Sequence, residues 1–250
     1  MKISWRISAS DVRRIRAFVE THKQEKMVQN RKLRYRRARD RVITRATFWR
    51  ASIMGLVTTQ QPSGPGTHVQ RFLRRVPFAL TYRACARKKN LRSYAEKEIR
   101  NARLRFSNRL AEMVATNFER VAGGIWEETY DALEDLRTAR VRRKTQLKEV
   151  ERNAANFIDE KYAGYGPKQA RNLLQCMGLT KHEIPLDSRI MKWLNEFGFP
   201  IRLTAQALSD RNYYMFVLDA VQAMCERGGV DPFILDAAIF TSYDRSTGAG

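Results

Sequence analysis

Acidic residues are scarce in this chain. Its 250 residues hold 26 Asp and Glu against 47 Lys and Arg, a formal charge of +21 at pH 7. A protein this basic repels itself and attracts polyanions, and nucleic acid is the commonest intracellular polyanion with room for many Lys and Arg contacts. Cysteine is also scarce: Cys85, Cys176 and Cys225 are odd in number and far apart, which suits neither a disulfide framework nor a four-cysteine zinc or iron–sulfur site. Long apolar runs are missing. Runs such as the five residues of Ile53 to Val57 fall far below the roughly 20 that cross a bilayer, so a membrane-spanning protein is excluded. The amino end runs into charged sequence without an apolar h-region, and the expectation is an intracellular protein, cytoplasmic or nucleoid-associated. Sustained strand alternation and internal repeats are absent too, which leaves an all-α fold.

What is present is enough for a core: 43% of residues are hydrophobic and 10% aromatic, sufficient to fill one large domain or two lobes sharing a cleft. The positive charge is spread rather than confined to a tail. Between Arg13 and Arg50 there are 14 Lys or Arg against Glu20, Glu25 and Asp40, and dense basic stretches recur at Arg83 to Arg109 and Arg137 to Arg152. That spread argues against a basic tail on an unrelated protein. Residues 11–40 read as an exposed basic helix with Ser10-Asp11 at its start, a segment either simply solvated or lying along phosphates. A second helix begins at Thr44, with Phe48, Ile53, Met54, Leu56 and Val57 as its buried stripe. It stops at Gln60-Gln61-Pro62-Ser63-Gly64-Pro65-Gly66. Further helices are predicted around Val69 to Val76 and Phe78 to Ala86, over Leu91 to Val121, and, past Gly123-Gly124, over Ile125 to Leu136 and Thr138 to Tyr162. Val141 is among the apolar positions of the last.

The sequence becomes specific between Phe157 and Phe199. A helix ends, Gly164-Tyr165-Gly166 turns, and a new helix starts with Pro167 at its first position and continues through Lys168, Gln169, Ala170, Leu173 and Leu174. Glycines at 164 and 166 permit positive φ and lack a Cβ, so backbone can approach a phosphate that the new helix's amino end also attracts. Tyr165 is expected to bury its ring between the two helices. Lys168 breaks a local rule, since a cation near a helix amino end opposes the macrodipole, and such breaches tend to mark functional sites. A free lysine amine is overwhelmingly protonated at pH 7 and nucleophilic only without its proton. The helix dipole, Arg171 and partial desolvation are the features expected to favour the neutral amine. Asp187, 187 − 168 = 19 residues on, stands before a helical pattern as an N-cap for Ile190.

Gly-x-Gly-Pro-Lys followed by Pro185-Leu186-Asp187 resembles the helix-hairpin-helix (HhH-GPD) DNA glycosylases, specifically the 8-oxoguanine DNA glycosylase/AP-lyase branch. The likeness is strongest over about 157–199, weaker over 44–66 and 203–245, and does not explain residues 1–41. It implies a two-lobed helical fold with a cleft between the lobes and a basic amino-terminal extension, 1–41. The core would span 42–250, with one lobe of about 42–60 plus 180–250 and another of about 61–179 carrying the hairpin at 157–177. It implies Lys168 as Schiff-base nucleophile and Asp187 as its carboxylate, and a backbone-binding hairpin of Gly164, Tyr165, Gly166 and Gln169. Gln60 or Gln61 would be the plug that fills the place of a flipped nucleotide. Asn172, Trp126 and Phe240 are candidates for the base pocket. No metal or other cofactor is required, the iron–sulfur cluster of related branches is expected to be missing, and a monovalent cation at the hairpin is compatible. The partner would be double-stranded DNA carrying a modified base, bound by a monomer.

Three functions remain open at this level. One is a glycosylase with lyase activity on an 8-oxoguanine-like purine or another modified base, modified phage bases included. The others are a monofunctional glycosylase in which Asp187 activates water, and a non-enzymatic DNA-binding module.

Overall fold

The computed structural model describes residues 5–141 and 143–246; residues 1–4, Arg142 and 247–250, which the expected domains include, lie outside the described residues. Among the described residues there are thirteen α-helices and no strand. In chain order they are α1 (Ala9–His22), α2 (Lys26–Arg37), α3 (Arg45–Val57), α4 (His68–Arg74), α5 (Tyr82–Ala86), α6 (Leu91–Asn101), α7 (Ser107–Arg120), α8 (Trp126–Thr138), α9 (Lys144–Lys161), α10 (Pro167–Cys176), α11 (Ser188–Phe197), α12 (Arg211–Gly228) and α13 (Pro232–Ser246). Short polar side chains set many of the starts, as their preference for helix N-caps predicts. Ser8 and Asp11 form a reciprocal capping box on α1, Thr44 and Thr47 another on α3, and Asp187 and Asp210 cap α11 and α12.

The buried side chains fall into two cores. One gathers residues of α3 to α10, among them Phe48, Trp49, Leu56, Val114, Leu133, Ile158 and Leu174. The other gathers Ile15 and Val28 with residues of α11, α12 and α13, including Trp193, Tyr214, Val221 and Leu235. This division corrects the expected lobes at two points. Residues 42–60 belong with 61–179, because α3 is apolar around most of its circumference and is enclosed by α5, α7 and α10. Residues 5–37 belong with the carboxy-terminal helices, α1 lying against α12 and α13, and α2 against α13.

The amino-terminal segment is therefore two packed helices and not one exposed arm. Ile15 and Val28 are fully buried, with Phe18, Val19 and Tyr35 beside them. Sparse apolar positions at helical spacing suffice to dock a helix whose Lys and Arg stems lie over the rim. Val42 is 74% exposed. The helix expected over 91–121 divides at 102–106, where Arg103 and Phe106 adopt left-handed backbone, φ +56° and +59°. The helix expected over 138–162 begins only at Lys144, after a 3-10 turn at Ala139–Val141, and Val141 is exposed.

The segment that crosses from one core to the other, 178–187, is pinned from both sides. The buried Glu151 carboxylate on α9 accepts the N–H groups of Lys181 at 2.8 Å, His182 at 2.6 Å and Glu183 at 2.9 Å. Burial pushes this carboxyl up to about 8 against the pull of those three donors. Beyond it, the Tyr214 hydroxyl accepts the Leu186 N–H at 2.8 Å and donates to the Ile184 carbonyl at 3.3 Å. A backbone held at 181, 182, 183, 184 and 186 delivers Asp187 to a fixed place.

Candidate active site

The hairpin is built from the core outward. After α9, Gly164 takes φ +82°, and a Cβ on it would lie 2.5 Å from Met113 Sδ and 2.8 Å from Leu56 Cδ2, so both conformation and packing require glycine. Gly166 differs from expectation: its φ of −104° and ψ of −174° are extended backbone, and open space faces it. Tyr165 is buried, its hydroxyl donating to the Ser52 carbonyl at 2.6 Å and its amide to Tyr162 O at 3.3 Å. Its ring belongs to the lobe core and does not face the outside of the hairpin. Asn117, buried on α7, clasps the turn by donating to Ala163 O at 2.9 Å and accepting the Ala163 N–H at 2.7 Å. Sequence reasoning missed Asn117; its signal was a polar residue in the apolar stripe Leu110, Val114, Asn117.

Between the two cores lies a cleft of about 280 Å³ whose walls include Lys168, Asn172 and Gln175 of α10, Asp187, and Asp236 and Phe240 of α13. Lys168, Asn172 and Gln175 share one face of α10 by their i, i+4, i+7 spacing. The Lys168 side chain is exposed and has no hydrogen bond or ion pair among the described residues. Arg171, expected as its cationic neighbour, is fully buried: Nε donates to Glu183 Oε2 at 2.7 Å and Nη1 to Pro167 O at 2.9 Å. Asp187 caps α11 with Oδ1, which accepts the N–H groups of Arg189 at 2.9 Å and Ile190 at 3.0 Å, while Oδ2 lies 3.3 Å from Arg189 Nε. The Arg189 guanidinium carbon stands 3.8 Å from the centroid of the Phe240 ring. Burial pushes the Asp236 carboxyl up to about 6, opposed by Arg31, whose Nη2 is 3.2 Å from Asp236 Oδ2.

No protein-family model and no curated protein matches the sequence. The crystal structure of Methanocaldococcus jannaschii 8-oxoguanine DNA glycosylase superposes with a TM-score of 0.68 at 15% identity, over 94% of this chain and 96% of that one. The M. jannaschii 8-oxoguanine glycosylase/lyase in complex with 15mer DNA containing 8-oxoguanine gives a TM-score of 0.66 at 15% identity, over 90% and 95%. The chain has the fold of an 8-oxoguanine DNA glycosylase. The all-α fold expected from the lack of strand alternation, and the two-lobed helical architecture that the resemblance implied, are thus present.

Within this glycosylase fold the remaining site residues divide. Gln169 ties α10 to the loop after α3, its Nε2 donating to Thr59 Oγ1 at 2.5 Å. In that loop Gln60 is exposed, with φ +56° and its Oε1 accepting from Arg109 at 3.0 Å. Gln61 is committed at both ends of its amide, donating to Val57 O at 2.6 Å and accepting the Arg105 N–H at 2.9 Å. Asn172 and Phe240 line the cleft. Trp126, the first residue of α8, does not: it packs on Phe48, centroids 5.9 Å apart, with the Arg45 guanidinium 5.5 Å over its ring. Among the described residues no helix is long and apolar enough to cross a membrane, and no group of three His, Cys, Asp or Glu side chains is arranged to hold a metal ion.

Proposed function

We propose that the protein is a DNA glycosylase with AP-lyase activity, acting on a modified base turned out of duplex DNA into the cleft. The observation that carries this reading is the meeting of Lys168 and Asp187, from α10 and the start of α11, on the walls of one cleft beside the hairpin. The charge of +21 suits a DNA partner. So does the fold shared with a glycosylase/lyase whose structure is a complex with DNA containing 8-oxoguanine. On this reading an 8-oxoguanine-like purine is the first substrate to test.

In this mechanism the open space before Gly166 and the amino end of α10 receive a phosphate. Gln60, exposed on its left-handed backbone, enters the stack where the nucleotide left, while Gln61 braces the loop. Unstacking costs a few kcal/mol, offset by contacts in the cleft. The Lys168 Nζ lone pair attacks C1′, and the bond from C1′ to the base breaks with its electrons on the base, which leaves protonated. Asp187 stabilises the positive charge that develops at the sugar. The sugar ring opens to an imine between Nζ and C1′. Loss of a C2′ proton then expels the 3′ phosphate, and water frees the lysine. This amine chemistry uses no metal.

Borohydride trapping on duplex DNA carrying 8-oxoguanine or an abasic site tests the reading. A covalent adduct present in the wild type and lost in Lys168→Gln is the expected result. Free-base release with an intact strand and no adduct replaces the lyase by a monofunctional glycosylase. DNA binding with neither product leaves only a binding module.

A further inference from the structure

The loop after α3 is bonded to two neighbours. Thr59 accepts from Gln169 of α10. Gln61 Oε1 accepts the Arg105 N–H at 2.9 Å and Gln60 Oε1 accepts from Arg109 Nη2 at 3.0 Å, which joins the loop to the turn between α6 and α7. Among the described residues, the three non-glycine residues on left-handed backbone are Gln60, Arg103 and Phe106, all in this loop and this turn. Such backbone is costly for a residue with a Cβ and persists where the surroundings hold it, commonly at binding sites. Leu104 is buried and roots the turn, while Arg103 and Arg105 on either side of it are exposed.

Beside the turn lies an open basin of about 640 Å³, walled by Arg71 and Arg74 of α4 and by Asn101 and Arg103. Arg71 meets His68 Nδ1 at 3.1 Å. Arg71, Arg74, Arg103 and Arg105 are all exposed, and among the described residues none of them pairs with a carboxylate; Glu98 of α6 is held by Arg75 at 2.9 Å. Four uncompensated guanidinium groups on one face repel one another, and a row of phosphates removes that repulsion while matching their forked N–H donors.

We propose that Arg71, Arg74, Arg103 and Arg105 hold the phosphates of the undamaged strand, the one across the duplex from the flipped nucleotide. The inference rests on the glycosylase reading and adds a surface that grips the second strand. On that reading a phosphate of the damaged strand sits before Gly166 and the amino end of α10, and Gln60 occupies the stack. Gly164 packs on Met113, and Ala163 is bonded to Asn117. These two residues are seven and eleven positions along α7 from Phe106, so the hairpin and the turn stand about 10–16 Å apart. That separation is comparable to the width of a DNA groove, about 6 Å for the minor and 12 Å for the major. A duplex that meets the hairpin with one strand and is entered by Gln60 therefore brings its other strand over the turn and the basin.

The test measures affinity for duplex DNA holding a reduced abasic-site analogue, with short blocks of uncharged methylphosphonate stepped along either strand. Wild type is compared with a variant that combines Arg71→Gln, Arg74→Gln, Arg103→Gln and Arg105→Gln. Blocks in the undamaged strand are expected to weaken wild type at least tenfold and the variant less than twofold, whereas blocks beside the lesion in the damaged strand weaken both. Against salt, the variant is expected to flatten the log–log slope by roughly 3 to 4, about 0.9 for each contact. All four side chains are exposed, so its thermal midpoint is expected to stay close to that of wild type; Arg71→Gln with Arg74→Gln, confined to α4, repeats the comparison at about half the slope change. Variants weakened by undamaged-strand blocks as much as wild type, or spared instead by blocks in the damaged strand, overturn this inference alone. Wild-type protein that neither releases a base nor traps on abasic DNA overturns the glycosylase reading and this inference with it.

Discussion

Asp187 Oδ1 accepts the Ile190 N–H at 3.0 Å, so the carboxylate placed in the cleft is also the cap that starts α11. The two roles separate by substitution. Asn keeps an oxygen in the capping position, and Asp187→Asn is expected to lower stability by less than about 0.5 kcal/mol, whereas Asp187→Ala is expected to cost about 1 kcal/mol. Base release and trapping are expected to fall about a hundredfold or more in both, because both lose the charge. Urea denaturation beside single-turnover kinetics reads the two effects. Full activity in the Asn variant reduces Asp187 to a cap.

Tyr165 and Gly55 form the contact on which the hairpin rests. A Cβ on Gly55 would lie 2.8 Å from the Tyr165 hydroxyl and 3.4 Å from its nearest ring carbon, so the oxygen makes the clash. Gly55→Ala is expected to destabilise by about 1–3 kcal/mol, as overpacking does. Tyr165→Phe removes the offending atom and its bond to Ser52. The double variant is expected to be more stable than the sum of the single effects, a coupling visible in a double-mutant cycle of unfolding free energies. Additive effects mean that the hairpin is not seated on α3 through this pair.

What the sequence made legible was local. Gly164 with Pro167 announced the hairpin, and Asp187 before an apolar stripe announced its cap, because a turn and an N-cap are written in adjacent residues. The seating of α1 and α2 was hidden, since α2 is half Lys and Arg and the apolar positions of both helices are spread thinly, while Ile15, Val28 and Tyr35 do the packing. The break between α6 and α7 had no Gly or Pro to mark it; Arg103 and Phe106 take up left-handed backbone themselves. Arg31, Gln175 and Asp236 meet only through tertiary folding, so no spacing in the chain could assemble them.

The buried seats of Ile15 and Val28 change what can be asked of the basic amino-terminal segment. Removing residues 1–41 to measure their part in DNA binding is expected to expose the carboxy-terminal core and to lower the thermal midpoint sharply, so the charges must be removed singly. Arg34, on the rim of the cleft, and Arg37, one turn further, are both exposed. If each meets a phosphate, Arg34→Gln with Arg37→Gln is expected to flatten the log–log dependence of DNA affinity on salt by roughly 2, about 0.9 for each contact. Fluorescence anisotropy across a salt series measures the slope, and an unaltered slope places DNA away from α2.

His182 gives the segment between the lobes a dependence on acid. Burial, with the charges of Lys181, Lys148 and Lys144, lowers its pKa from 6.5 to about 4, and its Nε2 has no partner. Between those values the unfolded chain binds a proton that the folded one does not, so this stability is present above about pH 6.5 and is lost as pH falls towards 4. The full effect is about 3 kcal/mol, since each tenfold change in proton affinity is worth about 1.4 kcal/mol. Asp236 and Glu151, raised to about 6 and about 8, act in the opposite sense, holding protons in the folded state and giving up stability as pH rises. Wild type alone therefore shows a muted profile. The difference between His182→Leu and wild type isolates the histidine, because the two carboxyls are common to both. That difference is expected to turn steadily in favour of the variant from pH 6.5 down to pH 4.5 in urea unfolding series. A difference that stays level across the range means that His182 accepts its proton in the folded protein as readily as in the unfolded chain.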